Sequence, residues 1–205
     1  MRRPSKGVLY IMFRISGMRR KNSPNLTDQE LVHEALKDAK QYGPLVERYY
    51  KPLLRYALRL GCPSPDDAKD VLQETFLKAY VNLNDYDDRL KFSSWIYRIA
   101  HNETINFFRK EKVRPRVAAS EDEQALLENI RDELDLAAEM DKRIERERIE
   151  RALSTLDKKY QNVLVLKFWE EKSYEEIADI LRVPMGTVAT LMSRGKKKLK
   201  DALHK

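Results

Sequence analysis

The stretch from Phe92 to Lys110, FSSWIYRIAHNETINFFRK, decides the fold. At helical period Ile96, Ile99, Ala100, Phe107 and Phe108 fall in one apolar stripe, while Arg98, Asn102, Asn106 and Arg109 step along the other side. Ser93 and Ser94 supply N-cap oxygens where the stripe begins. Arg109, Lys110 and Lys112 place positive charge at the C-terminal end, where the helix dipole favours it. The spacing predicts a helix with one packing face. Its other face mixes amides and guanidinium groups, with Tyr97 and His101 nearby, in place of the Glu/Lys alternation of an ordinary solvated surface. Such groups suit phosphates and exposed bases.

Composition sets the frame around this helix. The chain has 205 residues, 42% of them hydrophobic and 36% charged, with only 6 glycines, which predicts an all-α fold of two small helical domains. The formal net charge of +7 favours a polyanionic partner without telling nucleic acid from an acidic membrane or protein. Cys62, the single cysteine, excludes an internal disulfide framework and fits a reducing cytoplasm. No apolar run approaches the roughly 18 residues of a membrane span, and GVLYIMF is short and ends at Arg14, so neither signal peptide nor anchor is expected.

Residues 1–24 are basic and unpatterned and read as a disordered tail, with Met12 and Met18 as alternative starts. From there a first domain is expected over 25–112. Thr27 and Glu30 make a capping box for a helix carrying Leu31, Val32, Ala35 and Leu36, which Gly43 and Pro44 break. Leu45, Val46, Tyr49, Leu53, Tyr56, Ala57 and Leu60 make the next helix, with a kink or junction at Pro52 and a close at Gly61. Ser64 and Pro65 open a third in N-cap then N1 order.

This third helix has two dissimilar faces. Val71, Leu72, Thr75, Phe76, Ala79, Tyr80 and Leu83 form the buried stripe, and Asp66, Asp70, Gln73, Glu74 and Lys78 point outward. Acids in the first turns of a solvated helix explain that outer face, and so does a docking face for a protein partner. The polar segment Asn84 to Lys91, NDYDDRLK, then delivers the chain to Phe92 and Trp95. Beside an amide-bearing helix, such a loop suits a pocket for an unstacked base.

An acidic linker is expected over 113–143, where Glu121, Asp122, Glu123, Glu128, Asp132, Glu133, Asp135 and Glu139 arrive with little aromatic content. Periodicity returns from Ile144, and 144–205 reads as a second domain. Ile149, Ala152, Leu153 and Leu156 form one helix, Val163, Leu164, Leu166 and Phe168 another, and Trp169 reads as core. Ser173 and Glu176 box a short helix carrying Ile177, Ala178, Ile180 and Leu181. Pro184 then opens a longer one with Val188, Met192, Leu199 and Leu203 inward. Short helix, tight turn and longer helix form a helix-turn-helix. Thr187, Thr190, Ser193, Arg194 and Lys197 face outward with no acid before Asp201, as entry into a major groove requires.

DAKDVLQETFLKAY, FSSWIYRIAHNETINFFRK and SYEEIADILRVPMGTVATLMSRGKKKL together resemble the second and fourth conserved regions of the extracytoplasmic-function (ECF) group of the sigma-70 family of bacterial sigma factors. The motifs stand in the family's order, without the third sigma domain, and the resemblance covers almost everything after Leu45 except the linker. It implies an alternative sigma factor that binds core RNA polymerase and directs promoter-specific initiation. The helix bearing Asp66, Asp70, Gln73, Glu74 and Lys78 would dock on the clamp-helix coiled coil of the largest polymerase subunit. Asn84, Asp85, Lys91, Trp95, Arg98, Asn102, Asn106 and Arg109 would open the −10 element around a flipped non-template base. Thr187, Thr190, Ser193, Arg194 and Lys197 would read the −35 duplex. The acidic linker would run toward the RNA-exit path, and a membrane-anchored anti-sigma factor would wrap between the domains. Where many members have Ser-Arg or Thr-Arg after the G-T-V turn, this chain has Thr190 and Leu191, so Arg194 and Lys197 are the expected cationic contacts.

Other classes fit less well. His33, His101 and His204 are scattered, Cys62 stands alone, and no Gly-rich phosphate loop or G-x-S-x-G is present, so no catalytic site, metal, cofactor or small-molecule substrate is expected. A stand-alone helix-turn-helix regulator is the alternative, and autonomous, salt-sensitive binding to a palindromic duplex would mark it. A purely protein-binding adaptor would leave the basic C-terminus without a use.

Overall fold

The computed structural model describes residues 26–111 and 140–204; the basic tail and most of the acidic linker lie outside the described residues. Among the described residues there are eight α-helices and no strand. They are α1 (Asp28–Lys37), α2 (Gly43–Arg59), α3 (Pro65–Val81), α4 (Phe92–Glu111), α5 (Met140–Ser154), α6 (Lys158–Phe168), α7 (Tyr174–Leu181) and α8 (Met185–Leu203), with 3-10 turns at Ala39–Tyr42 and Leu83–Asp85.

The first four helices pack around Leu53, Tyr56, Leu72, Ala79, Phe92 and Ile96, none more than 2% exposed. Each such side chain contributes roughly 1.5–3 kcal/mol on leaving water. The Thr27 capping box forms as the sequence predicts, with its hydroxyl accepting from the Glu30 N–H and the Glu30 carboxylate accepting from the Thr27 N–H. Ser64 likewise caps α3, accepting from the Asp67 N–H at 3.1 Å. Asp28 ties α1 to α2 by pairing with Arg48 at 2.6 Å and accepting from the Tyr49 hydroxyl. The Tyr42 hydroxyl, donating 3.0 Å to the Phe76 carbonyl, anchors the turn before α2 onto α3.

Four local expectations are corrected. Gly43 and Pro44 start α2, because proline in a first turn loses no helical hydrogen bond. Pro52 marks no junction, since the same helix continues through it, with buried Tyr49, Leu53 and Tyr56 on either side. Helix α4 begins at Phe92, so Ser93 and Ser94 lie inside its first turn, and the Ser94 and Trp95 N–H groups bond the Lys91 carbonyl. Leu36, expected in the α1 stripe, is 45% exposed.

In the second half Val163, Leu164, Leu166, Ile177, Ile180, Val188 and Met192 form the core, each at most 1% exposed. Helix α5 begins at Met140, so the last residues of the stretch read as linker are helical. Trp169 is only half-buried against this core. The Ser173–Glu176 box caps α7 as expected. Pro184 is the N-cap of α8, one position before the N1 slot read from sequence.

Candidate nucleic-acid interface

Helix α4 is buried more widely than its stripe suggests. Tyr97 is 3% exposed and His101 8%, so both belong to the interior and not to the polar face. Burial pushes the His101 imidazole down to about 4 and raises the Tyr97 phenol above its usual range. Trp95, 7% exposed, is also inside, its ring 5.5 Å from both Tyr86 and Phe92. Tyr86 stands at 86° to Phe92 and donates 2.5 Å to the Leu90 carbonyl, so an aromatic cluster braces the 84–91 loop from within. Arg89 grips Asp87 through a forked pair that holds the Asp87 carboxyl down at about 2. On this braced support Asn84, Asp85, Lys91, Asn102 and Arg109 are exposed and Arg98 and Asn106 are half-exposed.

Helix α3 presents a polar face of its own. Asp66, Asp70, Gln73 and Glu74 are exposed together, with Asp66 pairing with Lys69 at 2.7 Å. Lys78 pairs at 2.6 Å with Glu103, whose side chain is only 10% exposed. Glu103 in turn accepts from Asn106 at 3.3 Å, so the acid face of α3 and the amide row of α4 are joined through one carboxylate.

The helix-turn-helix rests on contacts that periodicity foretold and one that it did not. Val188 and Met192 seat α8 in the core, and at Gly195 an added Cβ would lie 3.3 Å from Leu164 Cδ1 and 3.4 Å from Tyr160 Cβ. Glycine here is a close-approach residue. The turn passes through Arg182 in the left-handed region, φ 53 and ψ 48, where no glycine marks it. Thr187, Thr190, Ser193, Arg194 and Lys197 are all exposed. The C-terminal end of α8 is closed by Arg148 of α5, which donates 2.5 Å to the Leu203 carbonyl.

The two halves also touch. Arg59 of α2 pairs with Glu170, just past α6, at 3.2 Å, and the Tyr97 hydroxyl donates to the same carboxylate at 2.6 Å. Lys158 donates 2.6 Å to the Leu60 carbonyl, Gln161 donates 2.8 Å to the Arg59 carbonyl, and Lys91 pairs with Glu176 at 3.1 Å. Lys172 lies 4.4 Å over the Tyr97 ring. Burial lowers the pKa of Arg98, as does Arg182 in the turn after α7, while Asp179 opposes them. Sequence reasoning missed Arg59, Lys158, Gln161, Glu170 and Lys172, because contacts across a hundred residues leave no periodic signal.

Cys62 is 6% exposed with its thiol pushed up to about 12 by burial, and no helix of the described residues is long and apolar enough to cross a membrane. Amides, hydroxyls and cations on two helical units are the features of a DNA-engaging protein with two contact faces.

Comparison with known proteins supports that class and narrows it. Sigma-70 region 2 matches residues 45–114, and Sigma-70 region 4 matches residues 146–199. The ECF RNA polymerase sigma factor SigW of Bacillus subtilis is 33% identical over 176 residues, covering 82% of this chain and 91% of that protein. The ECF RNA polymerase sigma-E factor of Escherichia coli K12 is 34% identical over 192 residues, covering 89% and 97%. The solved structure of CnrH in complex with the cytosolic domain of CnrY matches with a TM-score of 0.64 at 25% identity, covering 86% of this chain and 97% of that one. The sigma factor RpoE of Bartonella quintana, solved with the anti-sigma factor NepR, shares the fold with a TM-score of 0.60 at 19% identity, covering 80% and 98%.

The chain belongs to the ECF group of the sigma-70 family. It is an alternative sigma factor, a protein that binds RNA polymerase and directs transcription initiation.

Proposed function

We propose that the two halves of the chain divide promoter recognition between them, with 25–112 handling core polymerase and the −10 element and 144–205 the −35 element. The α8 row of Thr187, Thr190, Ser193, Arg194 and Lys197 reads the −35 duplex. Hydroxyls and a guanidinium contact base edges while the lysine engages phosphate. The 84–91 loop with Arg98, Asn102, Asn106 and Arg109 holds the non-template −10 strand. Trp95, buried behind Tyr86, stiffens this loop instead of stacking on a base. Asp66, Asp70, Gln73 and Glu74 meet the clamp-helix coiled coil of the polymerase, and Lys78 orients that face through Glu103.

The observation that carries this reading is the exposure of all five residues of the α8 row on a scaffold whose opposite side, at Val188 and Met192, is closed. A helix so presented enters a groove as a rigid body. Strand opening costs a few kcal/mol per unstacked base, and the loop and α4 contacts offset it once polymerase holds both sites on one duplex. CnrH is held by the cytosolic domain of CnrY, and by the same logic a membrane-anchored anti-sigma factor restrains this chain in the cytoplasm.

Permanganate probing of a promoter with core polymerase tests the division of labour. Thymines of the −10 segment should become reactive only when the protein is present. Reactivity retained after replacement of Arg98, Asn102 and Asn106 by Ala would remove α4 from strand capture.

A further inference from the structure

Glu103 belongs to neither of the rows assigned to polymerase and to the −10 strand, yet it touches both. On α4 it lies three residues before Asn106, so the two side chains share one helix face. The Glu103 side chain is 10% exposed, and each of its oxygens has its own partner. Oε2 takes the Lys78 ammonium at 2.6 Å, and Oε1 accepts from Asn106 Nδ2 at 3.3 Å. Because the lysine reaches in from α3, a second helix holds the carboxylate in place beside the amide.

An ionised carboxylate only accepts hydrogen bonds, whereas an amide has a donor end and an acceptor end. With Nδ2 turned to Glu103, Oδ1 is the end left for a ligand. A half-turn of the amide would set Oδ1 against the carboxylate oxygen and lose the bond, so Glu103 decides which end of Asn106 a base meets. An acceptor at this place calls for an N–H. At the exocyclic position that tells the bases apart, adenine and cytosine carry an amine, and guanine and thymine carry a carbonyl. Asn106 is half-exposed, in the same row as Asn102 and Arg109, and so within reach of a strand laid along α4.

We infer that Glu103 is a positioning residue for base selection: by holding the Asn106 amide with Oδ1 toward the strand, it makes one position of the captured segment favour adenine and cytosine over guanine and thymine. The inference rests on the assignment of α4 to the non-template −10 strand.

The test uses holoenzyme assembled from core polymerase and the full chain, as the parent, as Glu103→Gln, as Asn106→Ala and as the double variant. The probes are fluorescent non-template oligonucleotides spanning the −10 segment of a promoter that the protein initiates from, each position carrying A, C, G or T in turn. Affinity ratios between bases do not depend on how much holoenzyme forms, so a change in core binding leaves them alone. The parent should favour C over T, and A over G, about tenfold at one position. Glu103→Gln offers the amide a donor as well as an acceptor, so Asn106 can turn either way and those ratios should fall to within about twofold of unity. Asn106→Ala should erase the same ratios, and adding Glu103→Gln to it should change them no further. Should Glu103→Gln lose its helical circular dichroism, Glu103→Asp keeps the charge for Lys78 and draws back from a bond already at 3.3 Å, and should flatten the ratios likewise.

If Glu103→Gln keeps the parental ratios, or weakens all four bases alike, while Asn106→Ala erases the preference, the positioning role is overturned and α4 still holds the strand. A parent without an amino-base preference at the position Asn106 contacts overturns it as well. If Asn106→Ala changes neither affinity nor ratio at any position, the assignment of Asn106 to the strand fails, and the inference falls with it.

Discussion

The Tyr56 hydroxyl lies 3.0 Å from Nδ1 of His101, joining α2 to α4 inside the core. A neutral imidazole accepts that phenolic proton, and protonation would replace the acceptor with a buried cation. His101 is held down to about 4 by burial, against about 6.5 in the unfolded chain. Below 6.5 the unfolded state therefore binds a proton that the folded state does not, so stability falls with pH between those values and levels off beneath about 4. Urea denaturation across this range should show the decline, and His101→Gln should flatten it. An unchanged slope in that variant would assign the acid sensitivity to other groups.

At Gly195 the backbone of α8 passes so close to Leu164 and Tyr160 that a branched side chain has no room. Gly195→Val should cost about 1–3 kcal/mol by overpacking and lower −35 affinity by tilting the readout row. Gly195→Ala should be milder, since alanine's helix propensity offsets the squeeze at 3.3 Å. Thermal melts of the two variants, beside duplex titrations, check the ranking.

Glu74 is exposed on α3 and has no place in the core. Glu74→Lys should leave the helical circular dichroism intact and weaken assembly with core polymerase by at least about tenfold, or ~1.4 kcal/mol. Assembly at the parental affinity would remove the docking role given to this face.

Arg194→Ala with Lys197→Ala removes two cations from the exposed row of α8. Affinity for the −35 duplex should fall, and the slope of log K against log salt should shrink by about 0.9 for each phosphate no longer neutralised. Anisotropy titrations over a salt series give both quantities. If neither changes, the readout helix lies elsewhere.

The course of most helices, the two capping boxes and the helix-turn-helix were legible in the sequence because each is local. Thr27 with Glu30, and Ser173 with Glu176, close their boxes within one turn, and the α8 stripe at Val188 and Met192 repeats at helical period. The α3 row and the α8 row are likewise exposed where the spacing put them. Less legible was the depth of α4. Its amide side is open at Asn102, yet Tyr97 and His101 turn inward because α2 and Glu170 meet them from other parts of the chain. Trp95 was legible as aromatic but not as interior, since only the fold brings Tyr86 and Phe92 around it. Arg182 adopts left-handed geometry without the glycine that would have announced it.

The central claim is that this chain gives RNA polymerase a promoter preference. In-vitro transcription from a library of promoter fragments, with core polymerase alone and with the protein added, tests it most directly. Initiation at a defined subset of fragments, only when the protein is present, is the expected result and yields the −10 and −35 sequences together. No added start site, with the protein still shifting duplex DNA by itself, would contradict the account and point to a stand-alone helix-turn-helix regulator.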